Sequence, residues 1–332
     1  MNKKIGVVIA LMVTVLILSC AKKDGPENYF KVKPLDGGKS LEIIGYMGNK
    51  QVVDIPIQIY KTPVANIGKA AFQKKDIIKV TIPVSVTTIG ERAFADNMLT
   101  NVNLGGSVAT IGSDAFADNM LVKVNIGDSV TVIGDRAFRG NQLTNVTISG
   151  SVITIGDLAF FDNNIVSVNI SKSVTSIGTE AFARNPITSL SVASGNTAFT
   201  TKEFCLFNKD ENQLILYYGG EINVSIPQGT TIIAAGAFST RQLAGITIPG
   251  SVTAIENRAF FNNDLTTVTI PNSVTAIGDG AFYENKITSI TIGTGVNIGR
   301  TSFDENIFYN AYINYGRRAG TYVLRNNYWS RQ

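Results

Sequence analysis

The sequence predicts a β-rich repeat solenoid with one parallel strand per 22-residue repeat and short helical or extended return segments. Three observations predict it. The pair Ala-Phe returns at a fixed 22-residue step, a V-x-I alternation precedes each pair, and β-branched Val and Ile dominate the apolar set. Self-similarity at such a period is the signature of stacked units, and β-branched side chains fit pleated strands better than helices.

The N-terminus reads as an address. Lys3 and Lys4 precede a mostly apolar run, Ile5 to Leu18, of 14 residues. That suits the apolar region of a signal peptide and falls short of the ~20 residues of a spanning helix. The run ends at Ile17-Leu18-Ser19-Cys20, which resembles the lipobox of bacterial lipoproteins, with Ile17 where Leu is more usual. That resemblance implies removal of residues 1–19 and lipidation of Cys20. Buried methylenes contribute about 0.8 kcal/mol each, so several acyl chains hold a protein on a membrane. An ordinary secretory signal with a chance cysteine is the alternative. Residues 20–27 form a polar tether, and residues 28–66 an N-terminal cap in which Leu41–Tyr46 and Val52–Ile59 are candidates to pair as strands.

The repeats occupy 67–192 and 221–303. Ala-Phe stands at 71–72, 93–94, 115–116, 137–138, 159–160 and 181–182, then at 237–238, 259–260 and 281–282, with Ser302-Phe303 as a decayed copy. The unit is N-x-L-x-x-V-x-I-x-x-x-V-x-x-I-G-x-x-A-F-x-x. V-x-I has period two and points to one face of a strand. Gly after Ile allows a sharp bend or a positive φ, Ala is small where the chain turns inward, and Phe fills the wide side of the coil. Asn97, Asn119, Asn141, Asn163, Asn185, Asn263 and Asn285 share one register, where a buried amide satisfies loop backbone groups and stacks into a structural ladder.

This unit resembles the BspA-like class of leucine-rich repeats, whose L-x-x-I-x-I-P-x-x-V-x-x-I-G-x-x-A-F pattern is matched closely by Ile248-Pro249 through Phe260 and by Ile270-Pro271 through Phe282. The chain departs from it with Asn where many members have Cys, and with Gly105 and Ser149 where they have Pro. The resemblance spans roughly residues 40–303. It implies a horseshoe-like leucine-rich-repeat solenoid at the bacterial surface, binding host matrix proteins, host cells or other bacteria. An envelope or periplasmic scaffold with no host ligand is the alternative.

Residues 193–220 interrupt the register and read as a hairpin or a wider repeat, with apolar runs at 204–208 and 214–218 around Lys209–Gln213. Cys205 there is expected as a buried small hydrophobe. Residues 304–332 leave the pattern. They are rich in Tyr and carry Trp329, Arg317, Arg318, Arg325 and Arg331. A cap over the last coil is favoured over an aromatic and basic contact patch.

Composition bounds the chemistry. With no histidine, a Ser-His-Asp or Cys-His engine and a His-ligated metal are excluded, and neither cofactor nor metal is expected. The chain carries 29 Lys and Arg; without Lys3 and Lys4 the balance is 27 against 25 Asp and Glu. So near-neutral a surface has no footprint for nucleic acid. Asp96, Asp118 and Asp162 are expected as a solvated like-charge row at the turns. The outward strand positions are the candidate binding face: Asn101, Asn103, Lys123, Asn125, Asn145, Thr147, Ser167, Asn169 and Ser191, then Thr247, Thr269 and Thr291. This hydroxyl- and amide-rich sheet suits a protein ligand, or is simply solvated β-structure. The reading is therefore of a binding protein and not an enzyme.

Overall fold

The computed structural model describes residues 26–332, and the expected signal segment and lipid site at Cys20 lie outside them. The chain winds as a β-solenoid. Each 22-residue coil contributes a three- or four-residue strand to one face, such as Asn101–Asn103, and a two-residue strand to the other, such as Thr110–Ile111. Both sets stack in parallel and in register, Lys123 on Asn101 and Val132 on Thr110. The return segments are extended, and the only α-helix among the described residues is Ile307–Asn314 at the C-terminal end; two short 3-10 turns, Pro26–Tyr29 and Asp36–Gly38, lie at the N-terminal end.

The side chains at the V-x-I positions point inward as their period demands. Val102, Leu104, Val108 and Ile111 are buried, and their equivalents repeat this coil after coil. The phenylalanines of the first block form a continuous stack. Phe94, Phe116, Phe138, Phe160 and Phe182 sit with centroids 5.3 to 5.4 Å apart and rings within 9° of parallel.

Two positions obey a different rule from the expected one. The glycine after each Ile does not have positive φ. A Cβ on Gly112 would lie 2.8 Å from the backbone of Gly90 and Glu91, so glycine is required by the close approach of coils. The positive φ falls instead on the residue before Ala, as at Arg92, Asp114 and Arg136, and on the second residue after Phe, as at Asp96 and Asp118. Each Ala-Phe corner is thus bracketed by two left-handed residues.

The N-terminal cap also differs from expectation. Ser40–Tyr46 and Val52–Asp54 are strands but do not pair with each other, because they belong to opposite faces of the solenoid. Ser40–Tyr46 pairs antiparallel with Phe30–Leu35 and parallel with Thr62–Ile67, while Val52–Asp54 pairs with Lys79–Thr81. Tyr46 starts the aromatic stack, 5.4 Å from Phe72.

The interruption at 193–220 repeats this cap inside the chain. Cys205–Asn208 and Gln213–Tyr217 form an antiparallel pair, and the second strand runs parallel to Ile232–Ile233 of the next coil. Tyr217 stacks on Phe238 at 5.1 Å and so opens a second aromatic stack. Each cap tyrosine receives a backbone N–H on its hydroxyl from four residues on, Lys50 to Tyr46 and Glu221 to Tyr217. Each stands two residues before a glycine, Gly48 or Gly219, whose Cβ would strike its ring. Phe204, within the apolar run, is the exposed turn residue, with φ of 57°.

The inserted strands bury both faces and divide the core in two. Phe199, Leu206, Leu216 and Tyr218 pack onto the first block, and Cys205, Phe207, Leu214 and Tyr217 onto the second. Two arginines stitch the blocks together. Arg184 lies over Phe161 of the first block and Phe261 of the second, at 5.5 and 5.9 Å. Arg241 takes the ladder position that Asn holds elsewhere, and its longer side chain donates from Nη1 to the Ile187 carbonyl at 2.9 Å. Burial pushes the pKa of Arg241 down to about 10.

At the C-terminal end, Phe308, Tyr312, Tyr322 and Trp329 close the second core. Gly320–Arg325 and Tyr328–Arg331 continue the long-strand face as an antiparallel pair. The aromatic residues expected here as a cap or a contact patch are mostly inside, although Tyr315 and Tyr328 are exposed.

Because the inserted strands separate the two cores, damage to one should stay local. Tyr217→Ala should cost about 3–5 kcal/mol. Native-state hydrogen exchange should then show lost protection from Gln213 onward, with the 88–170 coils unchanged.

Candidate binding face

On the long-strand face the residues flanking each buried Val stand outward. Asn101, Asn103, Lys123, Asn125, Asn145, Thr147, Asn169, Ser191, Thr247 and Thr269 are exposed, and Ser167 is half-buried. They form two columns along the solenoid, with Asn145 beside Ser167 and Thr147 beside Asn169. Ser167 donates its hydroxyl to Asn145 Oδ1 at 3.0 Å, while Asn103 Oδ1 receives the Gly105 N–H at 3.2 Å. Thr291 does not share the open surface. It is half-buried, and its hydroxyl meets that of Thr321 at 2.9 Å under the C-terminal strand.

A third column joins these two. The residue just before each strand is also exposed and reads Ile78, Thr100, Val122, Thr144, Val166 and Thr188. Its backbone ladder runs from Thr100 to Thr188, with Thr144 N–H to Val122 O and Val166 N–H to Thr144 O at 3.4 and 2.9 Å. Ile78, Val122 and Val166 are 40%, 47% and 45% exposed, which is large for β-branched side chains on a sheet. Apolar and hydroxyl residues alternate, so the apolar contact recurs every second coil. Sequence reasoning missed this column because the repeat pattern treats its position as variable; aligning repeats two at a time reveals it. A shallow depression is lined by Thr100, Asn101, Val102, Asn103, Val122, Lys123 and Asn125.

The chemistry of this face is hydrogen bonding and modest apolar contact. Lys79 and Lys123 carry its charge in the first block, and the corresponding positions of the second block, Asn223, Gly245, Thr267 and Ser289, carry none. No group of three or more acidic or thiol side chains placed to hold a metal ion occurs among the described residues. The row of Asp96, Asp118 and Asp162 is broken by Gly140 and by Arg184. Asp96 accepts from Gln73 at 2.9 Å and Asp118 pairs with Arg139 at 3.5 Å.

The asparagines at the repeat corners are bonded, and all but the half-buried Asn285 are buried. Asn119 donates Nδ2 to the carbonyls of Phe94, Phe116 and Ala117 at 2.9, 3.2 and 3.2 Å, and accepts the Leu99 N–H on Oδ1 at 3.1 Å. Asn97, Asn141, Asn163, Asn185, Asn263 and Asn285 repeat the arrangement. Each amide reaches back to the preceding coil and so fastens two coils at one corner. Cys205 is buried among apolar groups, and burial pushes its thiol up to about 12.

A model of the BspA-type leucine-rich repeat region matches residues 65–202 and 217–323, in six copies. Solved structures share the fold. A leucine-rich cell surface protein from Faecalibacterium prausnitzii is 24% identical, with 86% of this chain and 92% of that one covered and a TM-score of 0.62. The pneumococcal vaccine antigen PcpA is 22% identical over 83% of this chain and 84% of its own, with a TM-score of 0.69. A leucine-rich repeat protein from Eubacterium ventriosum is 23% identical over 84% and 81%, with a TM-score of 0.65. No curated protein matches the chain.

The buried groups make the following testable. Asn141→Ala strands backbone donors and acceptors of two coils and should cost about 3 kcal/mol in urea unfolding. Asn141→Asp should cost more at pH 7, because it sets a carboxylate against three carbonyls, and a buried unpaired charge is the worse defect. Cys205, neutral at pH 8, should resist alkylation in the native protein and react after unfolding, as read by peptide mapping. Its raised pKa means that the native state holds the proton longer. That contribution to stability is complete below pH 9 and is lost as pH rises toward 12.

Proposed function

We propose that this chain, which belongs to the BspA-type leucine-rich-repeat family, is a bacterial cell-surface protein that binds another protein through its long-strand face. The observation that carries this reading is the three-column surface running through the first block, sparsely charged by Lys79 and Lys123 with Asp54 of the cap beside them, and with Ile78, Val122 and Val166 regularly spaced along it. Short Asn, Ser and Thr side chains supply donors and acceptors on a rigid sheet at little cost in side-chain entropy. Exposed apolar side chains rimmed by polar ones are the usual anchors of a protein interface.

Display at the surface rests on the lipobox-like Ile17 to Cys20 and on family membership. A lipidated Cys20 would hold the solenoid at the membrane by its N-terminal end. No helix among the described residues is long and apolar enough to cross a membrane. The partner class this surface fits is a matrix or cell-surface protein of a host, or a protein of another bacterium. Strand-face recognition needs no catalytic group, which agrees with a chain that lacks histidine altogether.

The test is direct. Purified protein should bind immobilised matrix proteins, host cells or partner bacteria above an unrelated repeat protein. Val122→Glu with Asn125→Asp should reduce that binding at least tenfold without changing Tm, since both side chains are exposed. Protease added to intact cells should remove the solenoid. Protection from protease, together with no binding, would point instead to an envelope scaffold.

A further inference from the structure

The inserted cap leaves an unfinished edge in the middle of the molecule. On the short-strand face each coil donates backbone N–H groups to the coil before it. Thr175 and Ser176 donate to Ile153 O, and Gly178 donates to Ile155 O. The next coil should do the same to Thr175 O and Ile177 O. It does not, because the strand that follows belongs to the internal cap. Ser176–Ile177 ends its sheet, and the next sheet starts anew at Phe199–Lys202. Thr175 O and Ile177 O accept no hydrogen bond from the described residues. Ile177 is half-buried, whereas Ile111, Ile133, Ile155 and Ile233 at the same position are fully enclosed.

A cleft of about 240 Å³ runs along this edge. One wall is the edge itself, and the other is the cap, with Gln213, Ile215 and Leu216. Two carboxylates reach it. Glu256 spends Oε2 on the Ala235 N–H at 2.9 Å. Glu180 packs its stem over Gly236, and its carboxylate forms no ion pair and no hydrogen bond among the described residues. Arg184 and Arg258 lie near enough to attract its charge, yet desolvation outweighs them and pushes its pKa up. The cleft thus offers backbone acceptors, an apolar wall and a carboxylate, that of Glu180, with no ion pair or hydrogen bond among the described residues.

We propose that this cleft docks an extended segment of a partner protein carrying a lysine or arginine, added as a strand along Thr175–Ile177 with its cation against Glu180 and Glu256. Strand addition supplies the missing backbone donors, and the acidic end selects the side chain. The site is separate from the long-strand face and uses the opposite sheet.

The experiment titrates the full chain with a blocked peptide, Thr-Val-Lys-Val-Thr, by calorimetry. Saturable binding is expected. Peptides N-methylated at odd or at even residues should differ, one set losing about tenfold for two missing hydrogen bonds and the other little. Glu in place of the peptide Lys, or Glu180→Gln in the protein, should each weaken binding. T179W, which fills the cleft from an exposed position, should abolish it, while Val122→Glu on the other face should leave it unchanged. No saturable binding up to about 5 mM, equal affinity of the two N-methylated peptides, indifference to T179W, or loss through Val122→Glu would each overturn the proposal.

Discussion

The constraint on which the rest of this structure depends is how closely successive coils approach. Backbone atoms of neighbouring coils come near enough that a Cβ on Gly90, Gly112 or Gly134 would lie within 3 Å of the preceding backbone. Within each block, that spacing allows a coil to hydrogen-bond to the last along two faces and at the Ala-Phe corner. It sets the aromatic rings at stacking distance, and it brings each corner asparagine within reach of carbonyls one coil back. A parallel sheet satisfies its backbone only through such neighbours. The solenoid is therefore stable as a stack, and a coil without a neighbour is a defect to be covered.

The chain covers that defect more than once. At the start, an antiparallel pair ending in Tyr46 presents a finished surface to the first coil. Within the chain a second pair, ending in Tyr217, does the same for the second block, with the same tyrosine, the same glycine two residues on and the same parallel contact to the coil that follows. The insertion is thus a restart of the solenoid. Its other face packs on the end of the first block, so that both cores are closed by the same few residues. The restart explains why Arg stands at 241: an amide cannot span the added thickness, whereas a guanidinium on a longer stem can. It also explains the open edge at Ser176–Ile177, because a cap faces its own coil and has no strand to spare for the one before.

Functional potential divides along the same lines. The long-strand face repeats with the coils, so whatever it recognises is met by several equivalent positions in a row. Contacts of that kind gain from extent more than from any single residue. The junction occurs once among the described residues, and a site there can depend on a few side chains that occur once there. Family membership accounts for the scaffold, while the specificity of any partner lies in positions that the scaffold leaves variable.

The sequence by itself determined the period, the inward and outward sense of each strand residue, the buried asparagines and phenylalanines, and the family. All of these follow from local spacing repeated often enough that one reading fits every copy. It placed the outward residues Asn101 through Thr269 but not the column of Ile78, Val122 and Val166, since a variable position looks uninformative in a single unit. Glycine after Ile was legible, but its reason was not: a steric conflict with another coil is invisible in a dihedral argument. Thr291 has the spacing of the open face, yet the C-terminal strand covers it. Only the tertiary structure decided that residues 205–217 are a cap, that the core has two parts, and that an edge lies open between them. Those facts concern which surface meets which across dozens of residues of chain, and backbone pairing at that distance leaves no periodic trace in the sequence.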